Sequence, residues 1–283
     1  MRILKTAIGR TKYTEPLFTG AIALPSLRLT LEPLKAISRA FAPMVRELTF
    51  DVSELAIATF LQARAQGKAI TLLPIVLAAR FQEASLICLK SSPMRSEADL
   101  AGKRIAVRAY SQTTGMWLRG ILKDRHGIEA GDMSWLTFEG AHVAECADPP
   151  FVRRATGDAD MLTRLRAGEV DAIIVGNEGA EGEDLRSVFP DAAAAGEAFF
   201  ARHGFVPVNH LLTLRRDIAE SEPETVAELI RLFNALKAGE TPGGRDPRPI
   251  GRVAIDPAIE LAIRYSLEQG LITRKLTLDE VWG

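Results

Sequence analysis

The segment from Asp99 to Leu122 constrains the fold of this chain more than any other. A short apolar run from Arg104 to Val107 is typical of a buried strand, the stretch Tyr110 to Thr114 is rich in hydroxyl groups, and a helical pattern begins near Gly115. The N-terminus of a helix carries unpaired backbone N–H groups and the positive end of the helix dipole. The segment therefore predicts a strand–loop–helix unit that holds a small molecule bearing a carboxylate or a similar anion.

Strands and helices alternate along the rest of the chain. Apolar runs of strand length, such as 69–78 and 170–176, are interspersed with helix-like segments such as 160–167 and 223–237. This alternation predicts an α/β fold with mostly parallel sheets. The chain has 283 residues, which is enough for one large or two medium domains, each with its own core. A stretch rich in Gly, Pro and Arg, from Gly239 to Gly251, is expected to form a loop.

The overall charge and the cysteine pattern exclude several classes of function. The formal net charge is −1, which gives no electrostatic reason to expect nucleic acid or an anionic membrane as partner. The chain contains no Gly-rich phosphate loop, no His-Glu-x-x-His motif and no Cys-x-x-Cys pair. Cys88, Cys146 and the four histidines have no metal-ligand or redox spacing. We therefore expect neither a metal ion nor an organic cofactor.

The N-terminal segment lacks the uninterrupted apolar core of a secretory signal, because Lys5 and Arg10 interrupt it. No apolar segment reaches the length needed to span a bilayer. If Met1 is the native start, these features predict a cytoplasmic protein without membrane insertion.

Two patterns in the middle of the chain suggest its domain organisation. The patterns are Leu100-Ala-Gly-Lys-Arg-Ile-Ala-Val and Leu165-Arg-Ala-Gly-Glu-Val-Asp-Ala-Ile-Ile-Val. Together they resemble the second lobe of periplasmic-binding-protein-like domains of type II. The resemblance implies two α/β lobes with mixed, mostly parallel sheets flanked by helices, two crossovers, and a ligand cleft between the lobes. Lobe one would comprise residues 1–92 and 200–283, and lobe two residues 93–199.

Four short segments are distinctive: Phe50-Asp-Val-Ser-Glu-Leu-Ala, Tyr110-Ser-Gln-Thr-Thr-Gly-Met-Trp-Leu-Arg-Gly-Ile-Leu, Met133-Ser-Trp and Pro207-Val-Asn-His-Leu. Together they resemble the 4,5-dihydroxyphthalate decarboxylase family. The resemblance implies decarboxylation of a hydroxylated aromatic carboxylate without a cofactor. One segment departs from the family pattern, because Ala79-Arg-Phe-Gln-Glu stands where an Arg-x-Phe-Arg-His-type run is expected. An arginine and a histidine are missing there.

Decarboxylation of an aromatic ring without a cofactor needs an acid that protonates the ring carbon, and histidine suits this step near neutral pH. We expect His210, at a predicted strand end, to be the proton donor; the alternative is a histidine that only forms hydrogen bonds at the lobe junction. His142 is a second candidate. Glu54 is expected at a helix start, where it orients a substrate hydroxyl, acts as a base or only stabilises the helix dipole. Ser53 is expected to cap that helix and to contact the substrate.

The hydroxyl-rich loop supplies the candidates for binding the substrate carboxylate. Side-chain hydroxyls beside free backbone donors suit an anion, although helix capping alone would need only one of them. The candidates are Ser111, Gln112, Thr113 and Thr114. Arg119 would either clamp the carboxylate with two hydrogen bonds or cover a surface, and Arg80 would replace the missing basic residues. We expect Trp117 and Trp135 in the core.

Three classes of function remain open, because one fold can host all of them. The first is the decarboxylase, the second is a non-catalytic solute-binding protein for an aromatic or small organic acid, and the third is an enzyme of another reaction type. The first two share a small organic anion as ligand. A homo-oligomer is compatible with each of the three.

Overall fold

The computed structural model describes residues 1–24, 26–176, 179–239 and 245–283. The chain divides into two compact units. Unit 1 consists of Met1–Ala79, Val208–Glu260 and Leu276–Gly283, and unit 2 consists of Arg80–Pro207 and Leu261–Lys275. Of the loop expected from Gly239 to Gly251, residues 240–244 lie outside the described residues.

The strands alternate with helices, as the sequence predicts. The strands are β1 (Arg2–Ala7), β2 (Leu27–Leu31), β3 (Val52–Ala56), β4 (Ile70–Ala79), β5 (Leu86–Leu89), β6 (Arg104–Val107), β7 (Ser134–Thr137), β8 (Val152–Arg154), β9 (Ala172–Ile174), β10 (Leu185–Ser187) and β11 (Val208–Arg215). The α-helices are α1 (Glu15–Thr19), α2 (Phe41–Glu47), α3 (Ile57–Ala65), α4 (Thr113–His126), α5 (Met161–Arg166), α6 (Ala192–His203), α7 (Arg216–Ser221), α8 (Pro223–Ala238), α9 (Arg252–Glu268) and α10 (Leu278–Trp282). Among the described residues, no helix is long and apolar enough to cross a lipid bilayer.

The sheet of unit 1 has the strand order β2-β1-β3-β11-β4. Strand β1 pairs in parallel with β2 and β3, whereas β11 runs antiparallel to both β3 and β4. Buried apolar side chains such as Leu4, Val52, Leu212 and Phe233 form the core beside this sheet. Because β11 lies between two partners, its residues are fixed in register against β3.

The sheet of unit 2 has the strand order β10-β5-β9-β6-β7-β8. Strand β6 pairs in parallel with β7 and β9, and β7 pairs in parallel with β8. Strand β5 runs antiparallel to β9 and β10. The parallel strand β6 leads directly into α4, so the N-terminus of this helix lies at the carboxyl end of the strand.

The unit boundaries differ from those expected from the sequence. The expected boundary at 92/93 lies at 79/80, and the one at 199/200 lies at 207/208. The reason for the first difference is that β5, expected in lobe one, pairs with β9 and β10 in the sheet of unit 2. Residues 261–275, also expected in lobe one, are part of unit 2. Strand patterns in a sequence show which segments are extended but not which sheet they join.

Two local predictions differ from the structure. The helix expected to start at Glu54 begins only at Ile57, because residues 52–56 form strand β3, which is buried between β1 and β11. Ser53 consequently caps no helix. Helix α4 begins at Thr113 rather than near Gly115, so two of the predicted loop residues belong to its first turn.

Candidate functional site

Glu54 and His210 form a hydrogen-bonded pair in unit 1. In the antiparallel pairing of β3 and β11, Glu54 lies opposite Leu212 and His210 lies opposite Ala56. Alternate residues of a strand point to the same face, so Glu54 and His210 are diagonal neighbours on one face of the sheet. Glu54 Oε1 lies 2.6 Å from His210 Nδ1. This carboxylate–imidazole pair is the chemically distinctive feature of unit 1.

The carboxylate of Glu54 is fixed on both oxygen atoms. Its second oxygen, Oε2, accepts a hydrogen bond of 2.8 Å from the backbone N–H of Gly9. A Cβ atom at Gly9 would lie 3.2 Å from that oxygen, so the glycine allows the close approach. Only 5% of Glu54 is exposed. Because each oxygen is engaged, Glu54 fixes the orientation of His210, and its role in orienting a substrate hydroxyl stays a prediction. Its expected position at a helix start is wrong.

The second ring nitrogen of His210 is open for proton exchange. A carboxylate accepts hydrogen bonds, so the Nδ1–H group of His210 donates to Glu54. The other ring nitrogen, Nε2, is a donor in the imidazolium and an acceptor in the neutral ring. Nε2 has no hydrogen-bond partner among the residues that the structure describes. The His210 side chain is 15% exposed, and the ring of Phe41 packs edge-on against it with centroids 5.3 Å apart. The pair can therefore donate or accept a proton at a fixed point.

Ser53 does not contact a substrate through its side chain. The residue is fully buried, and its hydroxyl donates a hydrogen bond of 2.8 Å to the carbonyl oxygen of Glu54. The Ser53 carbonyl oxygen accepts a hydrogen bond of 2.7 Å from the Thr213 hydroxyl. Ser53 thus fixes β3 against β11, and its assignment as a substrate-binding residue is corrected.

The N-terminus of α4 in unit 2 gathers the predicted anion-binding residues. The residue before the helix, Gln112, forms no side-chain capping hydrogen bond. Ser111 is only 3% exposed, yet its hydroxyl has no hydrogen-bond partner in the described part of the chain, and neither has Gln112 Oε1. Thr113 and Thr114, in the first turn, are also buried. Buried polar atoms are normally hydrogen-bonded, so a hydroxyl donor and an amide acceptor left over here indicate a ligand site.

Arg80 adds a positive charge to this helix end. Its Nη2 donates a hydrogen bond of 3.1 Å to Thr114 Oγ1, and its Nε is buried without a partner among the described residues. Within the same residues, no carboxylate forms an ion pair with Arg80. Burial lowers the pKa of the guanidinium, which therefore gains from a bound counter-ion. A helix N-terminus and a partly buried cation without a counter-ion both favour an anion.

Arg119 is fixed mainly by contacts in the interior of unit 2, while its Nη1 is buried without a hydrogen-bond partner among the described residues, so its role as a carboxylate clamp stays a prediction. It is 1% exposed, and burial lowers its pKa. Its Nε donates to Gln269 Oε1 and its Nη2 to the Tyr110 carbonyl oxygen, each at 2.7 Å. The guanidinium also lies 3.9 Å from the centroid of the Tyr110 ring. Arg119 therefore holds the loop before α4 in place from the interior.

Gln269 is a residue of this region that sequence reasoning missed. Its side-chain Nε2 donates to the Met116 carbonyl oxygen at 2.8 Å. The backbone carbonyl oxygen of Gln269 accepts a hydrogen bond from the Tyr110 hydroxyl at 3.0 Å. With the bond from Arg119, these contacts connect α4, the loop before it and the residue that follows α9. No spacing pattern could reveal a partner 150 residues away in the chain.

The remaining predicted residues have mixed outcomes. Trp117 and Trp135 are buried, as expected for core residues. His142 lies in the loop between β7 and β8, and its role stays a prediction. Over the ranges that the structure describes, no group of three or more His, Cys, Asp or Glu side chains could hold a metal ion.

Comparisons with known proteins agree with the resemblance. No family model matches the chain. The chain is 24% identical to 4,5-dihydroxyphthalate decarboxylase from Comamonas testosteroni, over 83% of this chain and 74% of that protein. It is 26% identical to 4,5-dihydroxyphthalate decarboxylase from Pseudomonas putida, over 60% of this chain and 69% of that protein. The solved structure of the periplasmic aliphatic sulphonate binding protein SsuA from Escherichia coli matches with a TM-score of 0.65 at 14% identity, over 100% of this chain and 92% of that one. The similarity to these decarboxylases and the periplasmic-binding-protein fold are thus confirmed.

Proposed function

We propose that this protein is a carboxy-lyase that removes a carboxylate from a hydroxylated aromatic acid similar to 4,5-dihydroxyphthalate, without a cofactor. The observation that carries the proposal is the hydrogen bond of 2.6 Å between Glu54 and His210, which leaves Nε2 of the histidine open. The two relatives that are 4,5-dihydroxyphthalate decarboxylases support the same reaction. In this proposal the pair supplies the proton that the reaction needs.

The reaction replaces a carboxylate by a proton on a ring carbon. His210, as the imidazolium, donates its Nε2 proton to the carbon that bears the carboxylate, while a ring hydroxyl supplies electron density to that carbon. The bond to the carboxylate then breaks, CO2 leaves, and its electron pair restores the aromatic ring. The net reaction consumes one proton and releases CO2. Glu54 stabilises the imidazolium before the transfer, and solvent returns the proton to Nε2 afterwards.

The N-terminus of α4 is best suited to a carboxylate that stays on the ring. Strong stabilisation of the carboxylate that leaves would oppose its conversion to neutral CO2, because only interactions that strengthen in the transition state accelerate a reaction. A phthalate carries two carboxylates, and within unit 2 Arg80 with the α4 amides forms a positive site suited to a carboxylate. Gln112 Oε1 can accept a hydrogen bond from a ring hydroxyl. Arg80 and the α4 N-terminus therefore govern binding more than chemistry.

A panel of hydroxybenzoates and phthalates, followed by CO2 release and by thermal shift, tests the proposal. We expect CO2 from at least one dihydroxyphthalate. His210→Ala should abolish turnover while thermal stabilisation by the same compound survives. His126→Gln is the matched control, since His126 contacts Glu97 instead, and it should keep full turnover. Wild-type turnover by His210→Ala would refute the assigned role.

The second candidate is a non-catalytic protein that binds an aromatic or small organic acid. The similarity in fold to an aliphatic sulphonate binding protein favours it, and the anion-binding groups at α4 suit it equally well. The same panel separates the two functions. Thermal stabilisation without CO2 release from any compound would support the binding protein.

The location and the oligomeric state stay predictions. We propose a cytoplasmic protein, for which fractionation of cells that express the native gene is the test. Sedimentation of the purified protein measures whether it forms a homo-oligomer.

A further inference from the structure

Unit 2 contains a cavity of about 210 Å³ that is separate from the residues discussed so far. Its walls come from α4, α6 and α9 and from the 3-10 turn Glu83–Ser85. Neither the Glu54–His210 pair nor residues 111–114 line it. The volume is below the roughly 300–1,000 Å³ of sites for drug-sized ligands, so it suits a molecule with a single ring.

Glu83 provides an unused acceptor in this cavity. The residue is completely buried, with 0% exposed, and its Oε2 accepts a hydrogen bond of 2.9 Å from the Gln82 backbone N–H. Its Oε1 is buried with no hydrogen-bond partner in the described ranges. Burial raises the pKa of this carboxyl, so a donor from a ligand would relieve an unfavourable state.

The walls of the cavity are suited to an aromatic ring. The rings of Phe199 and His203 lie with centroids 4.5 Å apart, and Tyr265 and Ile121 add further apolar surface. Burial, and then the charge of Arg202, lower the pKa of His203, which favours the neutral imidazole. Aromatic side chains of this kind pack well against a planar ligand.

A cation that forms no ion pair among the described residues lies at the exposed side, within electrostatic reach of the Asp124 carboxylate. Arg202 is exposed, and its Nη1 donates only to the Asp124 carbonyl oxygen, at 3.5 Å. The Asp124 carboxylate is occupied by Arg264 at 2.6 Å and by the Tyr265 hydroxyl at 2.7 Å. In the part of the chain that the structure describes, no carboxylate pairs with Arg202. The cavity thus combines a buried acceptor, aromatic walls and an outer positive charge.

We infer that this cavity is a second ligand site for a small hydroxylated aromatic acid. The hydroxyl of the ligand donates to Glu83 Oε1, the ring lies against Phe199 and Tyr265, and the carboxylate interacts with Arg202. The inference goes beyond the proposed reaction, because it uses none of the residues assigned to it. Binding at this cavity can therefore be tested whether or not the protein catalyses decarboxylation.

Titration of the full-length His210→Ala protein with 4-hydroxybenzoate tests this inference by NMR of the histidine rings. The imidazole resonance that disappears in the His203→Gln variant is thereby assigned to His203, which lines the cavity. We expect a saturable shift of the His203 resonance, and at least tenfold weaker binding of benzoate, which lacks the hydroxyl donor. Arg202→Gln should weaken the binding of 4-hydroxybenzoate at least fivefold.

Two alanines on the exposed surface of α6 provide a matched pair of variants. Ala198 lines the cavity and Ala201 does not. Ala198→Leu should fill the cavity and abolish the His203 shift, whereas Ala201→Leu should leave it intact. An unshifted His203 resonance up to about 10 mM 4-hydroxybenzoate, equal affinity for benzoate, or an unchanged titration of Ala198→Leu would each overturn the inference.

Discussion

Replacement of Glu54 by glutamine is the sharpest test of the catalytic pair. Glutamine keeps the size of the side chain and can still accept the Gly9 hydrogen bond, but it removes the negative charge beside His210. Its amide N–H group would then face Nδ1 of the ring, where the carboxylate now accepts a hydrogen bond. The imidazolium that delivers the proton consequently loses its stabilising partner.

The expected size of the effect follows from the geometry. Two unit charges about 4 Å apart interact by about 4 kcal/mol at an effective dielectric constant of about 20. A neutral hydrogen bond of about 1 kcal/mol can replace part of this energy. The net loss of about 3 kcal/mol corresponds to a decrease in kcat of roughly a hundredfold. KM should change little, because Glu54 has both oxygens engaged within the protein.

Steady-state assays of CO2 release by wild type, Glu54→Gln and Glu224→Gln measure this prediction. Glu224 is exposed in the first turn of α8, so its replacement controls for the loss of one negative charge. A kcat of Glu54→Gln within threefold of the wild-type value would refute the reasoning. An increase in KM at constant kcat would also contradict it, because such a change would assign Glu54 to substrate binding.

The other predictions concern unit 2. Arg80→Met should raise KM about 10- to 100-fold with little change in kcat, because a charge-assisted hydrogen bond contributes about 1.5–3 kcal/mol. Arg80→Lys should recover part of the affinity, and equal losses in both variants would contradict this. Arg119→Met should lower the free energy of unfolding in urea by about 2–4 kcal/mol, since it leaves two buried acceptors without their donor; an unchanged denaturation midpoint would argue against the bracing role. Gly120→Ala would place a Cβ 2.1 Å from the Tyr265 ring and should lower stability by at least about 1–3 kcal/mol. Gly131→Ala, whose Cβ would meet only ordinary contacts at 3.6 Å, should be close to neutral. Unfolding in urea measures both glycine variants.

The sequence predicted those features that depend on short stretches of chain. The strand 104–107 is observed, and the helix after it begins within two residues of the expected position, because apolar runs and helical periodicity are local signals. The hydroxyl-rich loop was identified for the same reason. His210 was chosen for its residue type and its place near a strand end, and it does lie in a strand.

Features set by long-range packing could not be predicted. The contact of Glu54 with His210 joins residues 156 positions apart and depends on the register between β3 and β11. The residue type and position of Ser53 suit a helix cap. The pairing of β3 with β1 and β11 nevertheless places Ser53 in a strand, against this local preference for a helix. Arginine is a residue type that often binds carboxylates at a surface, which is why the sequence suggests a clamp at Arg119. Only the fold shows that aromatic rings and buried acceptors surround it.

The charge pattern of unit 1 distinguishes an enzyme from a simple anion-binding protein. A buried carboxylate does not itself attract an anion, since its negative charge opposes the ligand and its removal from water is unfavourable. Glu54 nevertheless lies 95% buried, and the chain supplies Gly9 to hold one oxygen and His210 to hold the other. Such a fixed carboxylate is useful when the neighbouring ring must alternate between imidazolium and imidazole at one orientation. Proton delivery requires this alternation and binding alone does not, which is why the pair favours decarboxylation over solute binding.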